Sequence, residues 1–225
     1  MISSCELILS HGWGLSSLFW NSLIQKLPIN FDCRCVDRGY FQTPSIEPVF
    51  SVKEGKKILI SHSYGLHSLQ REQIEIADYI IIFSGFISIH PKKEHAYKKS
   101  KKKIKLMMEH LHTVPLKLLE DVYTKSAFPQ KNELEIPSNF DIKTLSDDLC
   151  DLSKSSLNLE PFQSIPNILI LHGDMDKIVP VTKGIELQKK LPQAHLTVIN
   201  GIGHFLPHTH SGWCAQEILF FLNEA

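Results

Sequence analysis

The chain has 225 residues and a mass of 25.7 kDa, and 43% of it is hydrophobic, enough to fill the core of one large domain or two small ones. Lys+Arg 24 balance Asp+Glu 24, so the chain lacks the overall positive field of a dedicated nucleic-acid binder, and any charged partner has to be met by a local patch. The apolar runs, such as 79–83 and 168–171, fall far short of the ~20 residues that span a bilayer, which argues against membrane insertion. Residues 1–10 (MISSCELILS) lack the charged start and cleavage site of a signal peptide and lead into a strand-like run, so a cytoplasmic location is expected.

The first predicted strand, 6–10, delivers His11-Gly12-Trp13-Gly14 into a loop. Two glycines let the backbone approach a ligand closely, and the Trp13 amide is a candidate donor to a substrate oxygen. A crossover helix is expected over 15–27 and a second strand over 32–36, where Cys33 and Cys35 alternate. With Cys5, Cys150 and Cys214 they form an odd, scattered set without a C-x-x-C pair, which reads as free thiols rather than disulfides or a metal site. The third strand, 57–61, runs into S-H-S-Y-G. A serine on a tight strand-to-helix turn has its hydroxyl lifted above the sheet, and the following helix start favours developing negative charge. Ser63 is therefore the candidate nucleophile of an elbow whose first position, usually glycine, is Ser61 here, and the Tyr64 amide is the second oxyanion donor.

A helix over 64–76 and a fourth strand, 79–83, follow. Residues 88–160 contain no convincing strand and are expected to form an inserted helical unit with pieces near 94–110, 115–126 and 141–154, divided by Pro115, Pro129 and Pro137. Between Lys92 and Lys105 this unit carries eight lysines against one acid, Glu94, either a solvated helix face or a docking surface for an acidic partner. The fifth strand, 167–171, leads to two carboxylates; the pattern G-x-x-D-x-x-V-P selects Asp176 as the acid and leaves Asp174 as a loop or cap residue. After a helix over 181–191 and a sixth strand over 195–199, a glycine-rich loop carries His204, 28 residues beyond Asp176, and completes the order serine, acid, histidine. A last helix is expected over 211–222. His204, His208 and His210 are close enough in sequence to suggest zinc, but no cysteine or carboxylate partner accompanies them, and no phosphate-binding glycine fingerprint is present; no cofactor is expected.

Continuous apolar strands alternating with helices indicate an α/β sheet with helices on both faces. The four motifs, spread from residue 8 to about 222, resemble those of the α/β-hydrolases. The resemblance implies about six mainly parallel strands, since the chain begins at the family's third strand, with a core of 1–87 and 161–225 and an inserted helical cap of 88–160. It further implies an acyl-enzyme reaction in which Ser63 attacks, His204 moves the proton, Asp176 holds the imidazolium, and the Trp13 and Tyr64 amides bind the oxyanion. Two departures stand out: Leu66 replaces the second glycine common after the elbow, and VDRGYFQTP replaces D-x-P-G-x-G, leaving Arg38 and Tyr40 either to line the pocket or to close the loop. HGWG, the inserted cap and the acid motif together resemble the esterases of biotin synthesis that cleave the methyl ester of pimeloyl-acyl-carrier protein. That resemblance implies that Lys98, Lys99, Lys101 and Lys102 meet an acyl carrier protein. A general short-chain carboxylesterase or thioesterase acting on small esters, and a non-catalytic binding protein of the same fold, are the alternatives.

Overall fold

A computed structural model describes residues 5–51 and 55–224. Among these residues six strands form one parallel sheet: β1 (Cys5–Ser10), β2 (Phe31–Cys35), β3 (Lys56–His62), β4 (Tyr79–Phe83), β5 (Asn167–Gly173) and β6 (His195–Ile199), in the order β2-β1-β3-β4-β5-β6. The apolar runs are continuous because both faces are covered. Leu7, Leu9, Ile58, Ile60, Ile81 and Phe83 pack on one side with Phe19, Trp20 and Ile218, whereas Ile8, Leu59, Ile80, Ile82, Ile168 and Ile170 pack on the other with Leu66, Leu187 and Leu191.

Among the described residues eight α-helices surround the sheet: α1 (Asn21–Ile24), α2 (Arg71–Glu75), α3 (Glu94–Thr113), α4 (Pro115–Ala127), α5 (Ile142–Lys154), α6 (Val181–Lys190), α7 (Leu206–Thr209) and α8 (Ser211–Glu224). Two expected crossover helices are shorter than the sequence suggests. Over 15–27 there is a 3-10 turn, Ser17–Trp20, and then one α turn; over 64–76 a 3-10 turn, Ser63–Ser68, precedes α2, with Leu69 and Gln70 extended. The first stretch carries Ser16, Ser17, Phe19, Trp20, Asn21 and Ser22, which propagate a helix poorly, and in the second Ser68 Oγ donates to the Gly65 carbonyl in place of the main-chain ladder. Between β2 and β3 the described residues contain no helix; Asp37 closes that connection by accepting from the amides of Ser17 and Gly39.

Helices α3, α4 and α5 lie between β4 and β5 in the chain and pack on one another above the strand ends, Pro115 opening α4 at its first position. Their apolar faces (Ile104, Leu111, Leu118, Leu119, Leu145 and Leu149) meet Trp13, Tyr40, Tyr64 and Phe86 of the core in a third cluster. Cys33, Cys35, Cys150 and Cys214 are free thiols, and burial pushes those of Cys33 and Cys35 up, to about 11 and about 12. No helix among the described residues is long and apolar enough to cross a membrane.

Candidate active site

β3 ends at His62 in extended conformation, and Ser63 then turns sharply, with φ of 54°. A non-glycine residue in the left-handed region is strained, by about 1–3 kcal/mol, and is retained only where the surrounding structure holds it. The structure shows what holds it. A side chain at Gly65 would come within 2.4 Å of the Ser10 carbonyl oxygen and 2.6 Å of that of His11, so the elbow is pressed onto the end of β1 at Gly65. The smallness expected at the first elbow position is met by Ser61, fully buried, and Leu66 packs in the sheet cluster against Gly85.

The loop after β1 lies directly beside the serine: a Cβ on Gly12 would be 3.2 Å from Ser63 Cβ. The loop is fixed from the cap: Trp13 Nε1 donates to the Leu145 carbonyl at 2.9 Å, and Tyr123 Oη donates to the Gly14 carbonyl at 2.8 Å.

His204 Nδ1 donates to Asp176 Oδ2 at 2.6 Å, with both residues buried. Asp176 Oδ1 accepts from the amides of Ile178 and Val179, each at 2.8 Å, and His172 Nε2 stands 3.5 Å from Oδ2 while donating to the Val179 carbonyl at 2.8 Å. Burial pushes the Asp176 carboxyl up, but the attraction of His204 and the hydrogen bonds from His172 and His204 outweigh it and hold the group far below the usual carboxylate range. Asp174 turns the other way, accepting from the Gly201 amide at 2.7 Å at the surface. Among the described residues Ser63 Oγ has no hydrogen-bond partner, so the structure joins Asp176 to His204 and leaves the serine without a bond to either. His208 and His210 bond Ser22 and Thr209 instead of converging with His204, and no group of three metal-ligating side chains is assembled among the described residues.

Arg38 and Tyr40 meet a residue that sequence reasoning did not single out. Arg38 donates to both oxygens of Asp148 on α5, Nε to Oδ2 at 2.9 Å and Nη2 to Oδ1 at 2.6 Å, and Tyr40 Oη donates to Oδ2 at 2.5 Å. The two residues thus tie the β2 loop to the cap. His62 and His172 were also missed. Their only sequence signal is adjacency, His62 to the serine and His172 to the glycine that opens the acid motif.

Of the four lysines expected to meet a partner, Lys98, Lys99 and Lys102 lie on the exposed face of α3 and Lys101 is half-buried. Lys98 pairs with Glu94 at 2.7 Å and Lys101 reaches Ser153 Oγ at 3.4 Å, so two of the four already have partners within the chain. A surface depression of about 800 Å³, lined by Lys56, Asp78, Tyr79 and Asn167, is at the opposite ends of the strands from Ser63, away from where ligands of open α/β sheets bind.

No protein-family model matches the sequence, and no curated protein matches it significantly. Solved structures do match over nearly the whole chain. A bromoperoxidase from Bacillus anthracis is 19% identical with a TM-score of 0.77, covering 99% of this chain and 93% of its own. An esterase from Exiguobacterium antarcticum is 13% identical with a TM-score of 0.80, covering 99% and 93%. MenH from S. aureus is 18% identical with a TM-score of 0.69, covering 100% and 95%.

Proposed function

We propose that this chain, which has the α/β-hydrolase fold, is a serine carboxylic-ester hydrolase working through an acyl-enzyme. The observation that carries the reading is the buried Asp176–His204 pair, whose histidine ring lies 4.5 Å from that of His62, the residue before a serine held in the left-handed region at the end of a parallel strand. Ser63 Oγ adds to the ester carbonyl carbon as its proton passes to His204 Nε2. The carbonyl oxygen becomes an oxyanion that accepts from the Trp13 and Tyr64 amides. Collapse breaks the bond to the leaving alkoxide, which takes the proton from His204; water then repeats the cycle, with His204 as base, and frees the carboxylic acid. Asp176, held ionised, keeps the histidine hydrogen on Nδ1 and stabilises the imidazolium. Labelling by a fluorophosphonate tests this: the wild-type protein is expected to react and Ser63→Ala to stay unlabelled, and equal labelling of both removes Ser63 from the mechanism.

The finer reading is that the ester is the methyl ester of pimeloyl-acyl-carrier protein, hydrolysed in the cytoplasm. It is supported by the lysine face of α3, where Lys99 and Lys102 have no ion pair among the described residues. Reversing Lys98, Lys99, Lys101 and Lys102 to glutamate is expected to raise KM for carrier-bound substrate about tenfold or more, with small esters spared, because exposed charges act on encounter and are screened within roughly 8–10 Å. A general short-chain esterase is the second reading, favoured by the local pairing of Lys98 and Lys101. Equal effects of the reversal, or of added salt, on carrier-bound and nitrophenyl esters would decide for it.

A further inference from the structure

We infer that His62 is the positioning residue on which the three loops of the reaction meet: one neutral imidazole holds the base through its main chain, touches the oxyanion loop and precedes the nucleophile. The inference rests on the reading of Ser63, His204 and Asp176 as a hydrolytic unit.

His62 is 1% exposed. Its ring lies 4.5 Å from that of His204 and 4.8 Å from that of Phe19, with Phe205 beyond. His62 Nε2 is 3.0 Å from the His204 carbonyl oxygen. A carbonyl only accepts, so Nε2 carries the hydrogen, and Nδ1 is left as a bare acceptor, buried and without a partner among the described residues. The Nδ1 edge faces the oxyanion loop: a Cβ on Gly12 would stand 2.8 Å from Nδ1 and 3.2 Å from Cε1. The first glycine of H-G-W-G is therefore required by the ring of His62 as well as by the approach of a ligand.

Packing alone would favour an apolar side chain between Phe19 and Phe205, and an unpaired buried acceptor is destabilising. What the imidazole adds at this position is its N–H to the His204 carbonyl. That bond pins the main chain of the base, and the Asp176 bond pins its ring, so the two together fix where Nε2 of His204 points. Burial and the neighbouring His204 hold the His62 pKa well below that of an ordinary histidine. The ring therefore stays neutral beside the imidazolium that forms on His204 and does not compete for the serine proton.

The test compares wild type, His62→Phe and His62→Gln on a nitrophenyl ester, with Ser63→Ala as blank and a thermal melt for folding. His62→Phe keeps an aromatic ring and loses the donor. It is expected to lower kcat by about ten- to a hundredfold with KM within about twofold, the scale of a small misplacement of a reacting group. His62→Gln, whose amide nitrogen reaches about as far as Nε2, is expected to recover most of the loss. Histidine ¹⁵N spectra of the wild-type protein are expected to show His62 as the neutral Nε2–H tautomer from pH 8 to pH 5. Should His62→Phe fail to fold, the tautomer and the glutamine variant decide. An active wild type in which His62→Phe matches it, the two variants lose kcat equally, or His62 carries its hydrogen on Nδ1, overturns the assignment alone. A wild type without Ser63-dependent turnover overturns the hydrolytic reading beneath it.

Discussion

Replacing Asp176 by asparagine keeps the shape of the side chain and changes one oxygen into a donor, and the surroundings dictate which. Oδ1 accepts two main-chain amides and Oδ2 accepts one imidazole N–H. The amide oxygen of an asparagine satisfies more donors on the Ile178–Val179 side, which turns its NH₂ toward His204. Two donors cannot face each other at 2.6 Å, so His204 must move its hydrogen to Nε2, and a protonated Nε2 cannot take the proton of Ser63. The expected loss is about 10⁴ in kcat, some 5 kcal/mol of transition-state stabilisation, with KM little changed. Asp174→Asn, by contrast, retains an oxygen for the Gly201 amide at an exposed turn and is expected to stay within about threefold of wild type. The assay is steady-state hydrolysis of a nitrophenyl ester by both variants, with circular dichroism to confirm folding. The reasoning is refuted if Asp174→Asn is the more damaged of the two, or if Asp176→Asn keeps more than a tenth of wild-type kcat.

Asp148→Ala strips the partner from a partly buried guanidinium and a fully buried phenol, and breaking a buried pair costs about 3–5 kcal/mol, so a fall in Tm of about 6–20 °C is expected by calorimetry; a shift under 2 °C would show that the clasp contributes little. Stability should also fall as pH drops. Burial lowers the His67 pKa to about 4 against an ordinary 6.5, so between these values the unfolded chain binds a proton that the folded one does not, and about 3 kcal/mol is lost across that window, with His11 and His62 acting in the same direction. Urea midpoints at pH 7.5, 6 and 5 measure this, and a His67→Gln variant should show a shallower decline; an unchanged midpoint sinks the argument. Gly65→Ala drives a methyl group into the Ser10 and His11 carbonyls and is expected to destabilise by more than the ~1–3 kcal/mol of an overpacked core, which denaturant unfolding will report.

The strands were legible because fully covered parallel strands must be apolar on both faces, a property of contiguous residues such as Tyr79–Phe83 and Asn167–Leu171. The long helices α3 to α6 and α8 were legible through their periodicity and the prolines between them. The crossovers after β1 and β3 were not, because their extent depends on how Phe19 and Trp20 in the first and Leu66 and Ser68 in the second pack against residues distant in the chain. At the site, residue order and glycine spacing determined which serine, acid and histidine to compare, since a tight turn demands small residues at fixed offsets. Only the tertiary structure decided the rest. Arg38 is tied to Asp148, 110 positions away, and His62 to the His204 carbonyl, 142 away; neither pairing leaves a periodicity or a spacing, because each is made where segments distant in the chain are brought together at the same strand ends.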